Sequence, residues 1–136
     1  MKYLFNFLFV LPSILLGQEY YQKNGVEGYI LRADIFNDNN YLNPTVNDVE
    51  CFETKLKEKV SGYYSEFYRQ YYSKKIDEKE YLLVKLIHKS LIGKDLKELK
   101  NKPFIVIDGC ESVRFIVYDI EKQEIIKDVN GGGCGA

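Results

Sequence analysis

One histidine, three prolines and three cysteines occur in 136 residues, and each scarcity removes a class of function. With His88 as the sole imidazole, a multi-histidine metal site or a paired-histidine acid–base mechanism has no raw material. Zinc would have to draw on Cys51, Cys110 and Cys134, whose spacing contains no C-x-x-C pair. The basic and acidic counts are nearly balanced, 19 against 20. No basic patch stands out, so nucleic-acid binding has no electrostatic basis. The closing run Gly131–Gly133 lacks the Lys-Ser or Lys-Thr of a phosphate loop, and no helix follows it. No catalytic set, metal site or cofactor motif is therefore assigned.

Long apolar runs are also missing after the first residues. Lys2 followed by the mostly apolar Tyr3–Leu16, with Ser13 and Gly17 as small residues near its end, reads as a signal peptide over residues 1–17. The run is too short and too broken for a comfortable membrane span. Cleavage after Gly17 leaves a single domain, residues 18–136, with no membrane anchor and a periplasmic or extracellular address. Its oligomeric state is open.

What the chain has in abundance is tyrosine and phenylalanine, 12 and 8. Much of this falls in Gly62–Ser90, the expected centre of the fold. As a helix, Tyr64, Phe67, Tyr68, Tyr71 and Tyr72 form a stripe. As a strand, Phe67, Arg69, Tyr71 and Ser73 share one face, and Tyr64, Tyr68, Tyr72 and Ile76 the other. Aromatic enrichment, Gly62 as a helix stop and the run Tyr81–Ile87 after a polar turn favour two strands joined at Ile76–Lys79.

Before this hairpin, Gln18–Gly25 reads as a polar tail ending in the turn pair Asn24–Gly25, and Val26–Phe36 as a first strand. Asn37–Pro44 reads as loop; Asp38 is its one carboxylate, too few for a calcium site. Thr45 and Asp48 form a capping box for a helix of about sixteen residues, with Asn47 and Glu50 a competing cap. Its apolar stripe is Val49, Phe52, Leu56 and Val60. Cys51 lies about 200° round the helix from Val49, away from that stripe. It reads as a thiol covered by the Asn37–Pro44 loop, with an exposed thiol or a dimer link as alternatives.

After the hairpin, Leu91–Lys102 is a connection with a helical turn at Leu96–Leu99, and Pro103–Ile107 a short strand broken at Asp108–Gly109. Ser112–Ile120 and Glu124–Asn130 read as a second hairpin. Centring it on Lys122 places Ile120 opposite Glu124, Tyr118 opposite Ile126, Ile116 opposite Asp128 and Arg114 opposite Asn130. Carried outward, the same register sets Cys110 opposite Cys134, a disulfide worth roughly 3 kcal/mol as an upper guide. A free Cys134, or one paired with Cys51, is the alternative.

Pro44–Thr45 with Glu53, Tyr68–Arg69–Gln70–Tyr71, Ile107–Asp108–Gly109, Tyr118–Asp119 and Val129–Asn130–Gly131 carry a resemblance over 43–133. In these motifs the chain resembles a family of small exported Bacteroidetes proteins with no known activity. It departs by Ser73 in place of a glycine and by its closing glycine run with Cys134. The resemblance implies a strand over Tyr64–Lys75 and nothing catalytic.

These readings combine to an α+β fold. One helix in the N-terminal half packs on an antiparallel sheet of five or so strands, similar in order to cystatin-like folds, which host inhibitors, binding modules and enzymes alike. The expected function is a non-enzymatic interaction or inhibitor-type protein whose partner is another exported or envelope protein. Its candidate contact surface is Arg69 and Tyr71 with Tyr68 and Tyr72. The alternative is a small exported hydrolase with its site on the concave sheet face near His88, whose near neighbours in sequence offer only Lys85 and Lys89 as polar partners.

Overall fold

The computed structural model describes residues 18–92, 96–105 and 110–131. Residues 1–17, with the expected signal peptide, lie outside that range, as do Asp108–Gly109 and Cys134. The fold is α+β: one α-helix on a mostly antiparallel sheet. Among the described residues there are seven strands rather than the expected five or so. They are β1 (Glu19–Lys23), β2 (Val26–Ile30), β3 (Tyr41–Leu42), β4 (Phe67–Ile76), β5 (Lys79–His88), β6 (Val113–Asp119) and β7 (Glu124–Asn130). The main path runs β1-β2-β4-β5-β6-β7, and β3 pairs with β4.

The helix α1, Val46–Lys59, starts where its cap dictates. The Thr45 hydroxyl accepts from the Asp48 amide at 3.0 Å, and the Asp48 carboxylate accepts from the Thr45 amide at 3.4 Å. The Asn47 cap is not used. Val49, Phe52 and Leu56 are fully buried under the sheet, each contributing about 1.5–3 kcal/mol of apolar burial.

The central hairpin is β4 and β5, in register from Phe67↔His88 to Ile76↔Lys79. Asp77 and Glu78 both have positive φ, 50° and 67°, the mirror-image turn whose twist matches the strands it joins. The strand reading of this stretch holds from Phe67 onward. Alternation puts Arg69, Tyr71 and Ser73 on the helix side and Tyr68, Gln70 and Tyr72 on the outer side.

Three expectations are corrected. Gln18–Gly25 is no tail: Glu19–Lys23 pairs with Val26–Ile30 around Asn24 and Gly25, at φ 54° and 81°. One buried residue, Tyr21, anchors it. The expected strand Val26–Phe36 stops at Ile30 and turns into a 3₁₀ helix at Ala33–Ile35. Over Pro103–Ile105 there is no strand, and Ile105 is 81 % exposed.

The second hairpin follows the counted register for Arg114↔Asn130 and Ile116↔Asp128. A bulge then intervenes. Tyr118 opposes Ile125 rather than Ile126, and Ile120 lies in the turn rather than opposite Glu124. Ile126 is the extra residue, left exposed.

Parallel pairing of β2 with β4, Gly28↔Arg69 to Ile30↔Tyr71, joins the N-terminal hairpin to the rest. Gly28 makes it possible, since a Cβ there would sit 1.9 Å from the Arg69 carbonyl oxygen. That atom is backbone and cannot swing away. Gly28→Ala is therefore expected to cost about 3 kcal/mol or more, read as a lower urea midpoint. A midpoint within the error of the original chain would mean that β2 and β4 do not approach this closely.

Candidate functional site

Arg69, singled out in the sequence as a surface residue, has 0 % exposure. A guanidinium has five N–H donors and is always charged, so burial demands a partner for every one. All five are met. Nε donates to Glu53 Oε1 at 2.9 Å and Nη2 to Glu53 Oε2 at 3.4 Å. Nη2 also reaches the Tyr63 carbonyl at 2.9 Å, and Nη1 the carbonyls of Tyr64 and Phe67 at 2.7 and 2.8 Å. Glu53 Oε1 accepts a further bond from the Tyr71 hydroxyl at 2.7 Å.

The segment between helix and strand takes its shape from this charge. Gly62, Tyr63 and Tyr64 follow one another with positive φ, 77°, 55° and 48°. For two tyrosines this is a costly backbone conformation. It turns three carbonyls of residues 63–67 onto the guanidinium, and the Tyr63 ring stacks over the same group at 5.2 Å. Burial, then the Glu53 charge, raises the Tyr71 and Tyr63 hydroxyls above the ordinary phenol range. Both stay protonated as donors and cannot act as bases at neutral pH. Tyr21, nearby, is pushed up to about 12, by burial first and the charges of Glu53 and Glu50 next. A cavity of about 280 Å³ opens beside this cluster, walled by Glu53, Tyr63, Lys23 and Lys57 among others.

The candidate contact surface is thus corrected. Arg69, Tyr71 and Tyr72 are buried, so three of its four residues cannot meet a partner. Tyr68 is half-buried with the Lys89 ammonium over its ring at 5.4 Å.

On the outer face, Gln70 and its cross-strand partner Lys85 clamp the chain after Leu99. Gln70 Nε2 donates to the carbonyls of Leu99 and Lys102 at 2.9 and 2.8 Å, and Oε1 accepts from the Phe104 amide at 2.8 Å. Lys85 Nζ donates to the Phe104 carbonyl at 2.6 Å, and burial lowers its pKa. This pair substitutes for a ladder that Phe104 does not otherwise have.

His88 ends β5, half-buried. Its Nδ1 lies 2.7 Å from Ser90 Oγ, and its ring meets Phe67 edge to face at 5.3 Å. Among the described residues no acid or cysteine lies within hydrogen-bond reach of it, and no group of three or more metal-ligating side chains occurs. Cys51 is free and half-buried. Its cavity wall is formed by Tyr118 and Gln123 rather than by the Asn37–Pro44 loop. Cys110 sits in a 3₁₀ helix, Cys110–Ser112, outside the β6–β7 ladder; the expected pairing with Cys134 lies outside the described residues.

Glu53, Gln70, Lys85 and Tyr118 were not marked as site residues by the sequence. For Glu53 the signal was present: it follows Val49 by four residues and precedes Leu56 by three, inside the apolar stripe. No family model, curated protein or solved structure matches the chain.

Loss of one partner should expose this arrangement. Glu53→Gln sets an amide donor against Nη2 and is expected to cost about 3 kcal/mol. Arg69→Met should cost more, because it also strands three carbonyls. Urea unfolding gives the magnitudes. Hydrogen exchange at Ser65 and Phe67, whose amides bond the Gly62 and Tyr64 carbonyls, should lose protection in Arg69→Met. Retained protection there would show that the turn forms without the guanidinium.

Proposed function

We propose that this protein is an exported, non-enzymatic interaction protein of the periplasm or cell exterior, which meets another exported or envelope protein through its outer sheet face. The observation that carries the reading is the unequal cover of the two faces. Helix α1 seals one. On the other, Tyr72 and Leu83 are buried, while Tyr81, Phe115 and Val117 are only partly so. Val129, beside Phe115 on the edge strand β7, is 41 % exposed. Neighbouring half-open aromatic and aliphatic side chains are the composition of a contact surface. Arg69, expected on the contact surface, and His88, expected beside a hydrolase site, are held by internal partners.

A cystatin-like plan belongs to the same proposal. A single helix across a sheet supports it, and inhibitors are among the proteins built that way. Export rests on Lys2, Tyr3–Leu16 and Gly17. A photo-crosslinking residue at Lys127, on the outer face beside Val117, is expected to capture a second protein in the envelope or extracellular fraction. The same group at Lys57, on the solvent side of α1, is not. Equal capture from both positions, none from Lys127, or a chain retained in the cytosol would overturn the reading.

We infer also that Cys110 pairs with Cys134. The Gly131 amide bonds the carbonyls of Cys110 and Val113 at 3.2 and 2.6 Å, which holds the start of the C-terminal run beside Cys110. Cys51, by contrast, is free and lies on α1, away from that run. Non-reducing peptide mapping is expected to recover a 110–134 crosslink; one containing Cys51 would refute it.

A further inference from the structure

Three arginines occur in the chain, and two are held by carboxylates, Arg69 by Glu53 and Arg114 by Asp128. The third, Arg32, is half-buried, and its guanidinium has no hydrogen-bond or ion-pair partner among the described residues. It lines a cavity of about 440 Å³ whose wall also includes Asp34, Asp38, Asn43, Phe36 and Tyr41. Asp34 is exposed, and its carboxylate is likewise without a partner. Two opposite charges that solvent can reach thus share one wall without pairing. Asp38 is partly taken, by the Lys74 ammonium at 3.7 Å and the Asn40 amide at 2.9 Å. The wall is built in advance of any ligand. Where the chain leaves β2, the Leu31 amide bonds the Tyr71 carbonyl at 2.8 Å. Where it returns, the Lys75 amide bonds the Asn40 carbonyl at 2.8 Å, and β3 pairs with β4. Across the arch, Asn43 Oδ1 accepts from the Ala33 amide at 2.8 Å, and the Phe36–Tyr41 stack rests on Tyr72. A site fixed at so many points loses little freedom on binding.

We propose that this cavity binds a free α-amino acid with an apolar side chain, its carboxylate on Arg32, its ammonium on Asp34 and its side chain against Phe36 and Tyr41. The charges select the class. A half-buried guanidinium with all its donors unused calls for a planar anionic acceptor, and a carboxylate matches its fork. A simple anion would be opposed by Asp34 and Asp38 in the same wall, whereas a zwitterion turns Asp34 into a partner. A neutral polyol would leave both charges matched only by weaker, uncharged hydrogen bonds. An α-amino acid carries its two charges on neighbouring carbons, so one small molecule can bridge two side chains that do not pair with each other.

L-Phenylalanine, N-acetyl-L-phenylalanine and L-phenylalaninamide separate the two charges, since each derivative lacks one of them. Each is titrated into the purified protein and followed by amide ¹H–¹⁵N spectra, with glucose in parallel as a neutral polyol. The expected result is saturable binding of L-phenylalanine, with shifts centred on the amides of Ala33, Asp34, Phe36 and Asn43. Each derivative should bind about tenfold more weakly, the size of one charge-assisted hydrogen bond. Arg32→Gln should weaken L-phenylalanine by about the same tenfold factor while leaving the amide unchanged, because the amide has no carboxylate to lose. Asp34→Asn should do likewise for the N-acetyl derivative. Neither side chain has an internal partner, so both variants should keep the original urea midpoint. No saturation up to about 10 mM, equal binding of the three compounds, or shifts centred elsewhere would overturn the proposal. So would an affinity unmoved by both substitutions, or tighter binding of glucose. The cavity lies at the β3–β4 end, apart from the Phe115–Val129 face, so the result is independent of the protein contact proposed there.

Discussion

The interior of this fold is organised by one charge that cannot be removed. An arginine stays protonated at any accessible pH, and taking it out of water costs several kcal/mol even after relaxation. Arg69 is fully enclosed, so the chain around it must present acceptors in all five N–H directions. Glu53 supplies two from the helix. The turn of residues 62–67 supplies three from the backbone, by taking up positive φ at Tyr63 and Tyr64. The length of the link between α1 and β4, and the path it takes, are thereby tied to one side chain. An ion pair of this kind is weak evidence of net stability, since a well-packed apolar substitute can do as well. It does specify geometry: a register slip of one residue in β4 would turn Arg69 to the outer face and leave Glu53 buried alone.

The alternation of β4 gives the molecule two unlike sides. Arg69 and Tyr71 hold the helix and the turn on one. Gln70, between them in sequence, holds the segment Leu99–Phe104 on the other. The Gln70 clamp is neutral and bonds backbone only, so it fixes a connection that has no ladder of its own. That segment and the aromatic stack of Phe36 on Tyr41, with centroids 3.9 Å apart, cover the β4 end of the outer face. The β6–β7 end keeps its Phe115, Val117 and Val129 partly open. The asymmetry follows from where polar residues fall along a single strand.

Much of this was legible in the residue order, and the failures have physical reasons. The capping box at Thr45, the stripe Val49–Phe52–Leu56 and the turn at Asp77–Glu78 are local signals, and each formed as read. β1 was missed because Glu19–Lys23 buries Tyr21 alone, too little alternation to mark a strand, although Asn24–Gly25 is a strong hairpin turn. Val26–Phe36 was read too long because its apolar residues continue past Ile30 at even spacing, while the partner strand does not. The bulge at Ile126 leaves no mark in the pattern, and so the register held only up to Val117. Arg69 was misplaced for a different reason. Charge among tyrosines suggests a surface, unless its counter-charge is recognised in another element, and Glu53 lies sixteen residues away across a helix end.

Two of the places where polar groups meet the core differ in how fully their donors are matched. Around Arg69 every donor is matched, which is the signature of a structural device: it leaves nothing for a ligand to satisfy without first breaking the fold. Around Tyr118 the balance is open. Its ring packs on Phe52 with centroids 5.7 Å apart and is needed for the core, yet phenylalanine would pack there equally well and carry no unpaired oxygen. That hydroxyl is sealed from solvent and unpaired among the described residues, so it is a cost carried inside the core. The polar groups inside this fold therefore differ in kind: the Arg69 cluster sets the path of the chain between α1 and β4, whereas the Tyr118 hydroxyl sets nothing.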